Sequence, residues 1–158
     1  MDKAAVAGSF DPPTLGHIDL ITRACALYKK ILVVIAENPH KVPFLSIDER
    51  VMLLNEILCG KARVTVCPHG TLLVDFLQNE GIKLSLRGIR NERDFAYEAD
   101  MARINKIYYP EFETILLPAP PEKTHISSGA VRELLSYNLD ISGFVPEETV
   151  RFINRRKV

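Results

Sequence analysis

The feature that most constrains this chain is a regular alternation of two kinds of segment. Five short apolar runs, at residues 4–7, 31–36, 63–67, 84–87 and 114–117, are separated by stretches with helical periodicity. None of the runs alternates cleanly between apolar and polar residues, which is the pattern of parallel strands covered on both faces. Between them Ile18, Ile21, Cys25 and Tyr28 recur at three- and four-residue spacing, as do Ile47, Val51, Leu54 and Leu58. Leu72, Leu73, Phe76 and Leu77 mark another helix, stopped by Gly81, and a long one spans residues 92–108. Two more are predicted over 128–137 and 146–156, the latter with Pro146 in its first turn. Ser46 with Glu49 has capping-box spacing, and Asn91 can cap the long helix. This alternation predicts a doubly wound, Rossmann-like α/β fold with a parallel sheet of about five strands and helices on both faces.

A chain of 158 residues, 47% of them hydrophobic, suits one domain, 1–158, around a sizeable core. Twenty basic and twenty acidic side chains leave no net charge with His neutral. That balance argues against a protein that coats nucleic acid or an anionic membrane, so neither is expected as a partner. No apolar run reaches the ~20 residues of a membrane span. Met1-Asp2-Lys3 runs straight into a strand, so no signal peptide is expected. Cys25, Cys59 and Cys67 form no C-x-x-C or zinc spacing and read as reduced, mostly buried thiols of a cytoplasmic protein.

In an open parallel sheet, ligands bind beyond the carboxyl ends of the strands. The residues following each predicted strand therefore carry the functional information. Gly8-Ser9-Phe10-Asp11 and then His17 follow the first; His40 and Lys41 follow the second. Arg87, Gly88 and Arg90 follow the fourth, and Lys123, His125, Ser127 and Ser128 the fifth. Cations and hydroxyls thus gather on one edge of a neutral chain, which suggests a site for phosphates. His17 falls in the first turn of a helix, where the dipole favours anions, though a capping His would look the same. Arg87 and Arg90 flank a Gly at a strand–helix junction, an arrangement for two phosphoryl groups or for surface salt bridges. The dinucleotide fingerprint G-x-G-x-x-G and the P-loop G-x-x-x-x-G-K-[ST] are absent. No paired-carboxylate spacing, metal cluster or Ser/His/Asp order stands out, so positioning and charge stabilisation are the expected chemistry.

The stretch "GSFDPPTLGH" ahead of a helix resembles the T/HxGH signature of the nucleotidylyltransferase superfamily. Together with "RGIRNERDFAYE", Asn105 and "ISSGAVRE", it resembles the bacterial phosphopantetheine adenylyltransferase family over the whole chain. The resemblance implies transfer of AMP from ATP to 4′-phosphopantetheine, giving dephospho-CoA and pyrophosphate, with Mg²⁺ on the ATP phosphates and no protein side chain as metal ligand. It implies His17 as transition-state stabiliser, aided by Lys41 and Arg90. ATP would be bound by Ser9, Phe10, His17, Gly88, Ile89, Arg90 and Glu98, and by Lys123, Thr124, His125, Ile126, Ser127, Ser128 and Gly129. Phosphopantetheine would be bound by Ser9, Lys41, Leu73, Arg87 and Asn105. Dephospho-CoA and CoA are further implied ligands, and a homohexamer is the implied assembly.

This sequence departs from the family pattern in three places. Lys123 stands where many members carry an aromatic residue, Gly129 where they carry Ser or Thr, and "FAYE" replaces "FEYE". Two other readings use the same first motif: a nucleotidylyltransferase with a nicotinamide or glycerol phosphate acceptor, and a non-catalytic nucleotide sensor. The "RGIR…DFAYE" block argues against the former, and the paired arginines against the latter.

Overall fold

A computed structural model describes residues 2–37 and 42–156. In chain order its elements are β1 (Lys3–Gly8), α1 (Leu15–Leu27), β2 (Lys30–Ala36), α2 (Ile47–Ile57), β3 (Val64–His69), α3 (Leu73–Asn79), β4 (Leu84–Ile89), α4 (Glu92–Tyr108), β5 (Glu113–Pro118), a short 3-10 turn at Pro121–Lys123, α5 (Ser128–Ser136) and α6 (Glu147–Arg156). All five strands are parallel, in the order β3-β2-β1-β4-β5. The first three strands wind outward in one direction. The chain then crosses back, and β4 pairs with the other edge of β1. The order therefore reverses between β1 and β4, which opens a crevice at their carboxyl ends.

Period-two alternation sorts the central strands between two cores. Ala4 and Val6 of β1 face Ile21 and Ala24 of α1 and Leu54 of α2, together with Ile31, Val33 and Ile35. Ala5 and Ala7 face the other way, with Val34, toward Val74 and Leu77 of α3 and toward Tyr109 and Phe112. Because both faces are covered, the central strands read as continuous apolar runs. A third cluster joins Val131 of α5 to Ile141, Val145 and Ile153, with Phe44 packed against it. It fastens the C-terminal helices to the segment that leads into α2.

Local signals place the helix starts. Ser46 accepts the Glu49 N–H while the Glu49 carboxylate accepts the Ser46 N–H, a complete capping box for α2. Asn91 caps α4 by accepting the Asp94 N–H at 3.0 Å. Gly81, at φ 66, supplies the left-handed turn after α3. Pro146 lies immediately before α6 rather than within its first turn. Helix α4 matches its predicted span but has no buried residue, and Phe95, Tyr97, Ile104, Ile107 and Tyr108 are exposed on it. The expectation of mostly buried thiols needs correction at Cys59, which is exposed just after α2, where the chain turns away from the core. Cys25 and Cys67 are half-buried, and burial pushes both thiols up. Among the described residues no helix is long and apolar enough to cross a membrane.

Candidate functional site

Two adjoining clefts open at the reversal between β1 and β4. The larger, about 570 Å³, reaches from Gly8 and Ser9 along Leu73, Met101, Ala102 and Asn105. The smaller, about 360 Å³, lies between α1, the start of α4 and the start of α5. Ala7, Gly8, Ser9, Arg87, Glu98 and Arg132 line both, so they form a shared wall.

The shared wall is built from strand ends. β1 delivers Gly8 and Ser9, and the buried Arg50 of α2 fixes the Ser9 carbonyl with an Nη1 donor at 3.0 Å. Phe10 follows at φ 50, a left-handed backbone unusual for a bulky residue, with its ring buried 4.8 Å from the His17 ring. Asp11 is buried and accepts the Phe44 and Leu45 N–H groups at 2.8 and 2.7 Å. That ties the loop after β1 to the segment entering α2. From β4, Arg87 donates Nε and Nη2 to the two oxygens of Glu98 at 2.8 and 2.6 Å, and Nη1 to the Ala7 carbonyl. One N–H on each terminal nitrogen remains for a ligand.

The smaller cleft is arranged for anions. The first turns of α1 and α5 both reach it, through Gly16 and His17 and through Ser127, Ser128 and Gly129. Both therefore present helix N-termini, where unpaired N–H groups and the dipole favour negative charge. His17 takes the Glu position of a capping box. Its N–H reaches Thr14 Oγ1 at 3.4 Å, and its Nδ1 accepts the Thr14 N–H at 3.0 Å. Burial, then the Arg87 and Arg90 charges, push the imidazole pKa down to about 4, so the ring is neutral near pH 7. With Nδ1 accepting, the ring proton sits on Nε2, the one ring atom left to donate to a ligand oxygen. The capping reading of this residue is thus met by Nδ1, while Nε2 is left to face a ligand.

Arg90 and Lys123, which line the smaller cleft, are held by carboxylates. Arg90 grips Asp94 through Nε and Nη2 at 2.8 and 3.0 Å, and this guanidinium holds the Asp94 carboxyl below the usual range. Its Nη1 lies 3.4 Å from the Ile126 carbonyl. Lys123 reaches Asp19 at 2.6 Å. Ser127 Oγ caps α5 by accepting the Ala130 N–H at 3.0 Å, and Ser128 Oγ donates to the Pro12 carbonyl at 2.8 Å.

Most of the sequence-predicted residues meet here. Ser9, Arg87 and Glu98 line both clefts; Leu73 and Asn105 line the larger; Phe10, His17, Gly88, Arg90, Lys123, Ile126, Ser127, Ser128 and Gly129 line the smaller. Ile89, Thr124 and His125 line neither, and His125 instead packs edge-on against Phe144 with centroids 5.5 Å apart. Lys41 and His40 lie outside the described residues. Sequence reasoning missed Asp19, Asp94, Arg50 and Arg132. Only Asp94 carried a signal, its position four residues after Arg90 on a capped helix. No group of three or more His, Cys, Asp or Glu side chains among the described residues could hold a metal. Asp94 and Glu98, which line the smaller cleft, are engaged by Arg90 and Arg87.

Two clefts that share one cationic wall can bring two phosphorylated ligands end to end. Known proteins can now be set beside this geometry. A family profile described as Cytidylyltransferase-like matches residues 5–134. A phosphopantetheine adenylyltransferase from Thermotoga neapolitana is 41% identical over 148 residues, covering 94% of this chain and 92% of that protein. One of the same name from Xylella fastidiosa is 42% identical over 147 residues, covering 93% of this chain and 91% of its own. Among solved structures, a nicotinate-nucleotide adenylyltransferase from Vibrio parahaemolyticus superposes with a TM-score of 0.69 over 98% of this chain and 93% of its own. At 18% identity that likeness speaks for the fold.

Proposed function

The chain belongs to the cytidylyltransferase-like family and, within it, to the phosphopantetheine adenylyltransferases, and from that premise we propose how its two clefts divide the reaction. The protein transfers AMP from ATP to 4′-phosphopantetheine, giving dephospho-CoA and pyrophosphate. The smaller cleft, with two helix N-termini, His17 and Arg90, takes the ATP phosphates. The larger cleft, with Leu73, Met101 and Asn105 along its length, takes the pantetheine arm and ends at the Arg87 wall, where the acceptor phosphate sits. The single observation that carries this division is the shared wall at Ser9 and Arg87.

A phosphate acceptor is already ionised, so no general base is required. Catalysis then consists of orientation and of donors placed where charge develops. His17 Nε2–H is such a donor: it is neutral and fixed in direction by the Thr14 N–H. Arg90, set by Asp94, holds the departing phosphates, and Lys41 is assigned to the same phosphates on the family resemblance alone. Mg²⁺ would come with the ATP and would supply neutralising charge to its phosphates, with Asp94 and Glu98 not free to hold it because arginines engage them. CoA, which shares the product's pantetheine and adenylate parts, is assigned to the same two clefts as a further ligand. The exposed apolar residues of α4 support assembly with further copies of the chain, for which a homohexamer is the proposed form, and the cytoplasm is the proposed compartment.

The test is pyrophosphate release from MgATP with one acceptor at a time. Release with 4′-phosphopantetheine, and none with nicotinate mononucleotide or glycerol 3-phosphate, is the expected result. Equal release with another acceptor would reassign the larger cleft. Binding of ATP without release on any acceptor would make the protein a sensor.

A further inference from the structure

Resting on the assignment of the larger cleft to the pantetheine arm, we propose that Ser85 is a specificity-determining residue for the acceptor. Its hydroxyl pairs with the polar segment of the arm next to the phosphate, the secondary hydroxyl or the amide that follows it. Ser85 is the exception in its part of the strand. It stands in β4 between Leu84 and Leu86, both buried and apolar, and is itself only 3% exposed. A hydroxyl buried that deeply costs stability unless a partner meets it. Among the described residues no side-chain hydrogen bond involves Ser85 Oγ, and Thr149 Oγ1 alone is both fully enclosed and without a partner. Ser85 Oγ is therefore not closed off on every side, and the open side is the larger cleft, which Ser85 lines.

The depth of this hydroxyl suits the arm. Ser85 and Arg87 share a face of β4, and two residues along a parallel strand span about 7 Å. An acceptor whose phosphate meets Arg87 would carry the next few bonds of its chain over Ser85. In 4′-phosphopantetheine those bonds bear a gem-dimethyl carbon, a secondary hydroxyl and an amide. Thr114 of β5 pairs in register with Ser85 and lines the same cleft, so a second hydroxyl-bearing residue stands beside the first. Leu73, Met101 and Ala102 give this cleft apolar surface, and Asn105 gives it an amide. A hydroxyl in such surroundings discriminates, because an acceptor without the matching group leaves it unpaired. Small size alone does not account for the residue, since Ala would leave the same room without burying a polar atom.

The test compares the parent with Ser85→Ala and Ser85→Cys in steady-state pyrophosphate release, varying 4′-phosphopantetheine and ATP in turn. Melting temperatures are measured without ligand. Ser85→Ala should raise the KM for 4′-phosphopantetheine about tenfold and leave the KM for ATP within about twofold. Its melting temperature should equal or exceed the parent's, because the free protein loses an unpartnered buried hydroxyl. Cys, close to Ser in size but a weak hydrogen-bonding group, should behave like Ala. Two further acceptors locate the contact, one lacking the secondary hydroxyl and one with the first amide replaced by an alkene. The Ser85→Ala penalty should vanish for at least one of them. A penalty below about twofold with 4′-phosphopantetheine, or one that persists with both analogues, overturns the proposal. So does a Cys variant that matches the parent, which would make the requirement one of volume. A lowered melting temperature with unchanged KM values would make Ser85 a structural residue and overturn it too. Should Ser85→Ala fail to fold, Ser85→Cys decides. A parent that releases no pyrophosphate overturns the reading of the larger cleft itself, an outcome distinct from a silent substitution in an active enzyme.

Discussion

Arg87 and Glu98 face each other across the wall between the two clefts, joined by two parallel N–H···O contacts of 2.8 and 2.6 Å. Both side chains are mostly shielded, at 25% and 12% exposure. An acceptor phosphate that takes the remaining N–H groups of Arg87 must therefore share its charge with Glu98. Glu98→Gln keeps the size and removes the charge. It should lower the melting temperature, because a shielded guanidinium loses its counter-charge. It should also enlarge the thermal shift produced by 4′-phosphopantetheine, because the ligand no longer shares the guanidinium with a carboxylate. Differential scanning fluorimetry with and without ligand reads both. An unchanged ligand shift would show that the carboxylate and the phosphate do not share that guanidinium.

His17→Ala should reduce kcat about a hundredfold or more while changing acceptor binding far less, because it deletes one preorganised donor. A variant within about threefold of the parent would remove His17 from the chemistry.

The same residue predicts a pH effect on stability. His17 titrates at about 4 in the fold, below the ordinary 6.5. Between those values the unfolded chain binds a proton that the folded chain does not. Its contribution to stability is therefore complete above pH 6.5 and declines as pH falls toward 4. Urea midpoints at about pH 7 and about pH 4.5 should differ more for the parent than for His17→Ala. Equal differences would mean that the imidazole is not held neutral.

Asp11 sets the loop that carries Ser9. Its carboxylate accepts two backbone N–H groups from residues 33 and 34 positions away. Asp11→Ala leaves the Phe44 and Leu45 N–H groups without that partner and should cost roughly 2–4 kcal/mol in urea unfolding. A loss below about 0.5 kcal/mol would show that water replaces the carboxylate there.

Thiol reactivity should follow burial. Cys59 is exposed, whereas Cys25 and Cys67 are half-buried with their thiols pushed up. A soluble disulfide reagent should label Cys59 first, and the other two only on slower opening or unfolding. Simultaneous labelling of all three would contradict the packing.

The local pattern carried a large part of this fold. Strand runs, the capping residues Ser46 and Asn91, and the span of α4 are each written within a few neighbouring residues, so one sequence suffices to find them. Ser9, His17, Arg87, Arg90, Lys123, Ser127 and Ser128 were legible for the same reason, because each follows a strand end, whereas Leu73, Glu98 and Asn105 came only with the family resemblance. Their pairings were not. Lys123 meets Asp19 across 104 positions, and Arg132 meets Asp11 across 121. Periodicity holds no information at that range. Cys59 was misjudged because the general tendency of free thiols to be buried says nothing of where the chain leaves a helix. Helix α4 was found by its length and caps, yet nothing in its pattern announced that it would bury no residue.

The two capping boxes have the same geometry and opposite characters. Glu49 closes the one at α2 and His17 the one at α1. A Glu at position 17 could close the helix start as well as the one at 49, but it would aim a negative charge into the cleft proposed to take the phosphates. An Ala would spare the phosphates and leave the Thr14 N–H unclosed. This position therefore has little room for neutral drift in descendants of the chain. A lineage that gave up the chemistry but kept the fold should carry an acid or amide here, so the identity of one side chain at the third residue of one helix separates working copies from retired ones.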